Sequence, residues 1–291
     1  MSPKSVFITG ASSGIGLATA QLFHRQGWNV VATMRAPDKA PSELISLDPA
    51  TLLITKCDVT NLESINAAVA ATLERFGRVD WLINNAAFGT FGIFEALPRE
   101  QVMELMNTNF IGLMDVTRAF LPHLRRTASS TDRYSVGLIN ITSGGGIWSL
   151  PQTSLYCASK YAVEGFTESI SYELASQNVY AKLVVPHGGI SQTSFSQRTL
   201  KEGSAADAEV NAAYSDFTKK TMDTFGKIAA SLPTTSEEVA QTIYEAASDG
   251  TDKLRYFVGN DTRGFINAKF GEKGIKADEE YLASMRKYFD Y

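Results

Sequence analysis

Short apolar runs alternate along this chain with longer stretches whose apolar residues recur every three or four positions. The runs are Ser5–Thr9, Val30–Thr33, Leu52–Thr55, Trp81–Asn84, Val136–Ile141, Tyr180–Val185 and Arg255–Val258. Each has the length and content of a buried strand. After the first run, Ile15, Ala18, Leu22 and Phe23 share one helical face, and Gly27 stands where a C-cap glycine belongs. Thr60-x-x-Glu63 reads as a capping box ahead of Leu62, Ile65, Val69, Leu73 and Phe76, with Gly77 as the stop. A long helical region is predicted from about 100 to 125, and another over Tyr156–Ala175. Thr235-x-x-Glu238 is a second capping box, opening a helix through Val239, Ile243 and Ala246. Strands separated by helix-length segments form βαβ units. They imply an α/β fold with a doubly wound parallel sheet of about seven strands in three layers, α/β/α. With no repeat, low-complexity tract or linker, the expectation is one domain over residues 1–291. Two parts fit less well. Residues 188–233 have weak periodicity and are longer than a plain connection, so they read as a substrate loop or lid. Residues 260–291 read as a polar, aromatic C-terminal extension.

Composition narrows the function more than the fold. With 27 Lys+Arg against 31 Asp+Glu the net charge is −4, and no dense basic run exists to track a phosphate backbone. Two cysteines, Cys57 and Cys157, are too few for a disulfide framework or a structural zinc site. The three histidines, His24, His123 and His187, are scattered, which argues against a metal centre. The apolar run near the N-terminus is too short for a signal peptide, and no run is long enough to span a membrane, so the expected location is the cytoplasm.

The candidate chemistry starts at Gly10-Ala-Ser-Ser-Gly14-Ile-Gly16, between the first strand and the first helix. A pyrophosphate can rest on a helix N-terminus there, against free N–H groups and the positive end of the dipole. Gly10 suits the tight turn, Gly14 the close approach of the cofactor, and Gly16 the packing of helix on strand. Alone this spacing is only a glycine-rich turn; after the first strand of a βαβ chain it reads as a dinucleotide site. At the end of the second strand, where an acid would bind the ribose hydroxyls of NAD, the chain has Thr33-Met34-Arg35-Ala36. Arg35 can hold a 2′-phosphate, and the missing acid removes the repulsion, so the expected cofactor is NADP(H). Tyr156 and Lys160 are one helical turn apart and share a face. A cation beside a phenol favours the phenolate and suits it to acid–base work near neutral pH. The pair alone arises often by chance. Ser143, thirteen residues earlier at the C-terminal end of the fifth strand, stands where open α/β sheets place ligands.

The glycine pattern, Asn84-Asn85-Ala86, Asn109, Ser143 and Tyr156-x-x-x-Lys160, in this order, resemble the short-chain dehydrogenase/reductase family over about residues 5–260. The resemblance implies a Rossmann-type fold and a tetrad of Asn109, Ser143, Tyr156 and Lys160. It places the cofactor against Gly10, Ser12, Ser13, Gly14, Ile15, Gly16, Arg35, Asp58, Val59, Asn85, Ala86, Tyr156, Lys160, Pro186, Gly188 and Ile190. It also implies a homo-oligomer, dimer or tetramer, pairing through helices on which Phe166, Ile170 and Leu174 serve core or partner. Two departures stand out: Ala87 replaces the family's glycine, and His187 follows Pro186 as an apparent insertion, read as a simple loop residue, with a substrate or cofactor contact as the alternative. The implied activity is interconversion of a ketone or aldehyde with its alcohol. Gly144–Trp148 would form one wall of the pocket, and Phe195, Tyr214, Phe217, Met222 and Phe225 the lid over an apolar or aromatic substrate. Two alternatives stay open: a non-redox epimerase or dehydratase on the same scaffold, and a cofactor-sensing regulatory protein. The first usually carries a longer C-terminal domain; the second has no need of a tetrad.

Overall fold

In the computed structural model, residues 3–187, 208–231 and 234–259 are described. Seven strands form one sheet: β1 (Ser5–Ile8), β2 (Asn29–Met34), β3 (Leu52–Lys56), β4 (Trp81–Asn84), β5 (Gly137–Ile141), β6 (Tyr180–Pro186) and β7 (Arg255–Val258). Their order is β3-β2-β1-β4-β5-β6-β7, with every neighbouring pair parallel. The helices are α1 (Gly14–Arg25), α2 (Ser42–Ile45), α3 (Leu62–Phe76), α4 (Arg99–Met106), α5 (Gly112–Ala128), α6 (Ser154–Ala175), α7 (Ala208–Ala213), α8 (Ser215–Ser231) and α9 (Ser236–Ser248). The chain order reverses between β1 and β4, which opens a crevice at the C-terminal ends of those strands.

Alternate residues of each strand feed two cores. Val6, Ile8, Trp81, Ile83, Ile139 and Ile141 pack with Phe23 of α1 and with Val239 and Ile243 of α9. Phe7, Leu82 and Leu138, from the same strands, pack against Ile65 of α3, Phe120 of α5 and Leu174 of α6. Side chains on a strand alternate faces, and both faces here are covered, so the strands are continuous apolar runs. Ile170 and Phe166 also turn to the core, Phe166 edge-on to Phe110. No described helix is long and apolar enough to cross a membrane.

Two local details depart from the sequence reading. Asp58 Oδ1 accepts from the Thr60 N–H and hydroxyl at 3.0 and 2.7 Å, so Thr60 caps nothing. The cap of α3 is Asn61, which accepts from the Ser64 N–H at 2.8 Å. The long helix expected over 100–125 is α4 and α5 joined by a π-helical turn, Asn107–Ile111. The Thr235–Glu238 box is present with both reciprocal bonds, and Gly27 and Gly77 have the positive φ of helix stops. Of the predicted special segments, 188–207, 232–233 and 260–291 lie outside the described residues, with Gly188, Ile190 and Phe195 among them.

Candidate active site

The glycine-rich turn joins β1 to α1 at the sheet crevice. Gly10 and Gly14 have φ of +69° and +54°, which glycine adopts without strain. A Cβ on Gly16 would lie 2.3 Å from the Gly10 carbonyl oxygen, so α1 reaches the turn only because Gly16 has none. Asn85 fastens the turn from β4: its Nδ2 donates to the carbonyls of Thr9 and Gly10 at 2.9 and 3.1 Å. In return, Thr9 Oγ1 accepts from the Asn85 and Ala86 N–H groups. Ser12 and Ser13 are exposed, and Ser13 makes no side-chain cap on α1. The N-terminus of α1 therefore presents backbone donors and hydroxyls with no acidic residue in its first turn, a cradle suited to a pyrophosphate. Ala87 keeps a negative φ, so the backbone there has no need of glycine.

Arg35 is exposed just past β2. Its charge reaches Asp58, whose carboxyl is pushed up by burial but held below the usual range by Thr60, Arg35 and Lys56. Thr33 cannot share a bound phosphate with Arg35, because it is fully buried and donates to the Ile8 carbonyl at 2.9 Å.

The tetrad residues converge beyond the ends of β4 and β5. Ser143 follows β5, and its Oγ accepts from the Gly145 N–H at 3.2 Å. It also hydrogen-bonds the Tyr156 phenol, which partly offsets the burial that pushes this phenol up to about 12. Lys160, one turn on, is 3% exposed; its Nζ donates to the Ile141 carbonyl at 2.9 Å and lies 5.8 Å from the centre of the Tyr156 ring. Burial pushes Lys160 down to about 8, against an upward pull from Glu164. The sequence argument favoured a phenolate. Here burial outweighs the Ser143 hydrogen bond and favours the protonated phenol. Asn109 sits in the π-helical turn, fully enclosed. Its Oδ1 accepts from the Phe88 N–H at 3.0 Å, and its Nδ2 donates to the Phe88 carbonyl and Ser159 Oγ at 2.8 and 3.1 Å. The extra residue of a π turn tilts a side chain out of the α-helical register, and here it aims Asn109 at the Tyr156 helix.

His187 lies just past β6 but is buried. Its N–H donates to Val258 as β6 runs on beside β7, its carbonyl accepts from Thr234, and its ring meets Trp148 edge-on at 4.8 Å. Burial lowers its pKa to about 4, so the ring is neutral. Trp148 is also fully buried and does not line an open wall; a Cβ on Gly144 would lie 2.3 Å from its ring. Of the lid candidates, Phe225 meets Phe91 edge-on at 5.8 Å, and Tyr214 donates to Glu95 at 3.2 Å. Met222 is exposed.

Two supports were missed in the sequence. Gln152 has φ of +58° in a buried position and donates to Thr218 of α8 at 2.9 Å, tying that helix to the loop before Tyr156. A buried chain of amides and hydroxyls links Thr117, Asn84, Asn140 and Thr167 across α5, β4, β5 and α6, with donor–acceptor distances of 2.8–2.9 Å. Two asparagines in adjacent apolar strands were the available signal, since a buried amide needs partners.

A parallel, doubly wound sheet with a glycine-rich turn at its switch point is the architecture of dinucleotide-binding proteins. Residues 4–203 match the model of the short chain dehydrogenase family, and the chain belongs to that family. A 3-ketodihydrosphingosine reductase of Bacteroides thetaiotaomicron is 38% identical over 64% of this chain and 64% of its own length. Retinol dehydrogenase 8 of Bos taurus is 35% identical over 70% of this chain and 64% of its own. The match therefore spans about two thirds of each of these curated relatives. The crystal structure of a short-chain dehydrogenase from Streptomyces avermitilis superposes with a TM-score of 0.77 and 27% identity, over 99% of this chain and 97% of the other.

Proposed function

We propose that the chain is an NADP(H)-dependent carbonyl reductase working on an apolar or aromatic ketone or aldehyde. The observation that carries this reading is the meeting of Ser143, a protonated Tyr156 and Lys160 at the strand ends beside the glycine turn. The glycine turn would hold a nicotinamide cofactor, whose chemistry would be hydride transfer. The chain's own residues do the rest. The Ser143 hydroxyl and the Tyr156 phenol donate hydrogen bonds to the carbonyl oxygen and orient it. Tyr156 transfers its proton to that oxygen as negative charge develops. Lys160 holds the cofactor's nicotinamide ribose, and Asn109 fixes the helix that carries the pair by its bond to Ser159. The apolar substrate class is supported by the aromatic content of the expected lid, of which Phe225 packs edge-on against Phe91. The names of the two relatives, which specify 3-ketodihydrosphingosine and retinol, agree with that class.

The preference for NADPH is assigned to Arg35, with Ser13 as a second phosphate contact. A charge-assisted hydrogen bond contributes roughly 1.5–3 kcal/mol, or about 10- to 100-fold in affinity. The exposure of Arg35 and its neighbour Asp58 place the effect at the lower end. Arg35→Ala should raise KM for NADPH about tenfold and leave KM for NADH nearly unchanged. Equal changes for the two cofactors would remove Arg35 from this role.

A further inference from the structure

The buried charges of α6 do not end at Lys160. Glu164 lies one turn further, on the same helix face, and is only 6% exposed. Its Oε2 accepts from Arg255 Nε of β7 at 2.9 Å, while Arg255 Nη2 donates to Glu168 at 2.5 Å. A strand 91 residues away in sequence thus clamps this carboxylate against the helix. The clamp holds one cation against two carboxylates, so its net charge is negative. Lys160 needs such a charge: it is buried, and its amine donates to a neutral carbonyl. We propose that Glu164, held by Arg255, is a positioning residue that supplies the counter-charge keeping the Lys160 ammonium ionised in the enclosed site.

The surrounding groups are consistent with this. The Lys160 amine lies 5.8 Å from the centre of the Tyr156 ring and donates to the Ile141 carbonyl of β5, and Glu164, one turn on, favours its charged form. The Glu164 carboxylate faces Arg255 of β7, Glu168 on α6, and the Thr142 hydroxyl past β5. Burial pushes Glu164 up, and Arg255 resists that push and favours the charged form. Without Glu164, Lys160 would face Arg255 with only the more exposed Glu168 to balance it.

The inference rests on the ribose-holding role of Lys160, so the test reads binding and not turnover. NADPH affinity is measured by fluorescence titration as a function of pH. In the wild type it should weaken as pH rises through about 8, where Lys160 loses its proton. In Glu164→Gln the loss should begin about one pH unit lower, the effect of removing a close opposite charge. Glu164→Asp should move the breakpoint in the same direction by less, and it carries the test if the Gln variant does not fold. Glu168→Gln, two turns from Lys160 and more exposed, should move the breakpoint by less than Glu164→Gln. An unmoved breakpoint in both Glu164 variants, or an equal displacement in Glu168→Gln, would overturn the proposal. Lys160→Ala separates the two claims. A pH dependence that survives in Lys160→Ala defeats the role of Lys160 itself. One that disappears there but is unmoved in the Glu164 variants defeats only the counter-charge.

Discussion

Tyr156→Phe should reduce kcat by about 10²- to 10⁴-fold, the usual contribution of a general acid, while NADPH binding stays close to wild type. The substitution removes one oxygen and keeps the ring, so packing of the half-buried side chain is preserved. What is lost is the phenol hydrogen-bonded to Ser143, and with it the proton that burial, pushing the group up to about 12, keeps in place. Because the proton is used only as charge develops on the substrate oxygen, kcat and kcat/KM should fall together. Steady-state kinetics with a reducible ketone, paired with an NADPH titration, measures both arms. Retention of more than about a tenth of wild-type kcat would exclude Tyr156 as the acid.

Gly16→Ala should cost about 1–3 kcal/mol of stability and abolish tight NADPH binding. A methyl group at Gly16 would meet the Gly10 carbonyl oxygen at 2.3 Å and Asn85 Nδ2 at 2.6 Å. Neither can step aside cheaply: one is backbone, and the other is the amide that holds the turn. Either α1 or the turn must shift, and the N–H cradle opens. Gly27→Ala is the contrast. It has φ of +78° but open space around the new methyl, so its cost is conformational strain of about 1 kcal/mol, away from the cradle. Thermal melts and NADPH titrations of the two variants should therefore separate, with binding lost only in Gly16→Ala.

The strands and most helices were legible in the sequence because both faces of this sheet are covered, so every strand writes itself as a solid apolar run. Even Tyr180–Val185 read correctly with Lys182 in its middle. That amine is buried at 1% exposure and donates to the Ala246 carbonyl, Asp249 and Tyr256, a set no local pattern displays. Ser143, Tyr156 and Lys160 were legible as neighbours because one follows a strand end and the other two stand one helical turn apart; Asn109 came only from the family resemblance. The rest depended on distant pairings or on competition between neighbours. Thr60 lost its cap role because the Asp58 carboxylate, two residues back, captured its hydroxyl. The π turn at Asn109 left no mark in periodicity, since one extra residue in a long helix is smaller than the blur in any amphipathic pattern. Glu164 stood one turn beyond Lys160 in plain view, but its significance needed Arg255, which only the β6–β7 pairing brings to α6. His187 looked like loop because it follows a proline and precedes two glycines. Its burial comes from Trp148, thirty-nine residues earlier, filling the space above Gly144.

The most direct test of the account is the consumption of NADPH by the purified protein, followed by its absorbance, with a panel of ketones and aldehydes ranging from short polar to long apolar and aromatic. The account predicts oxidation of NADPH that requires the carbonyl compound, runs faster with the apolar and aromatic members, is slower with NADH, and is lost in Tyr156→Phe. Tight NADPH binding with no carbonyl-dependent oxidation across the panel would contradict it, and would point to a non-redox enzyme or a cofactor sensor on the same scaffold.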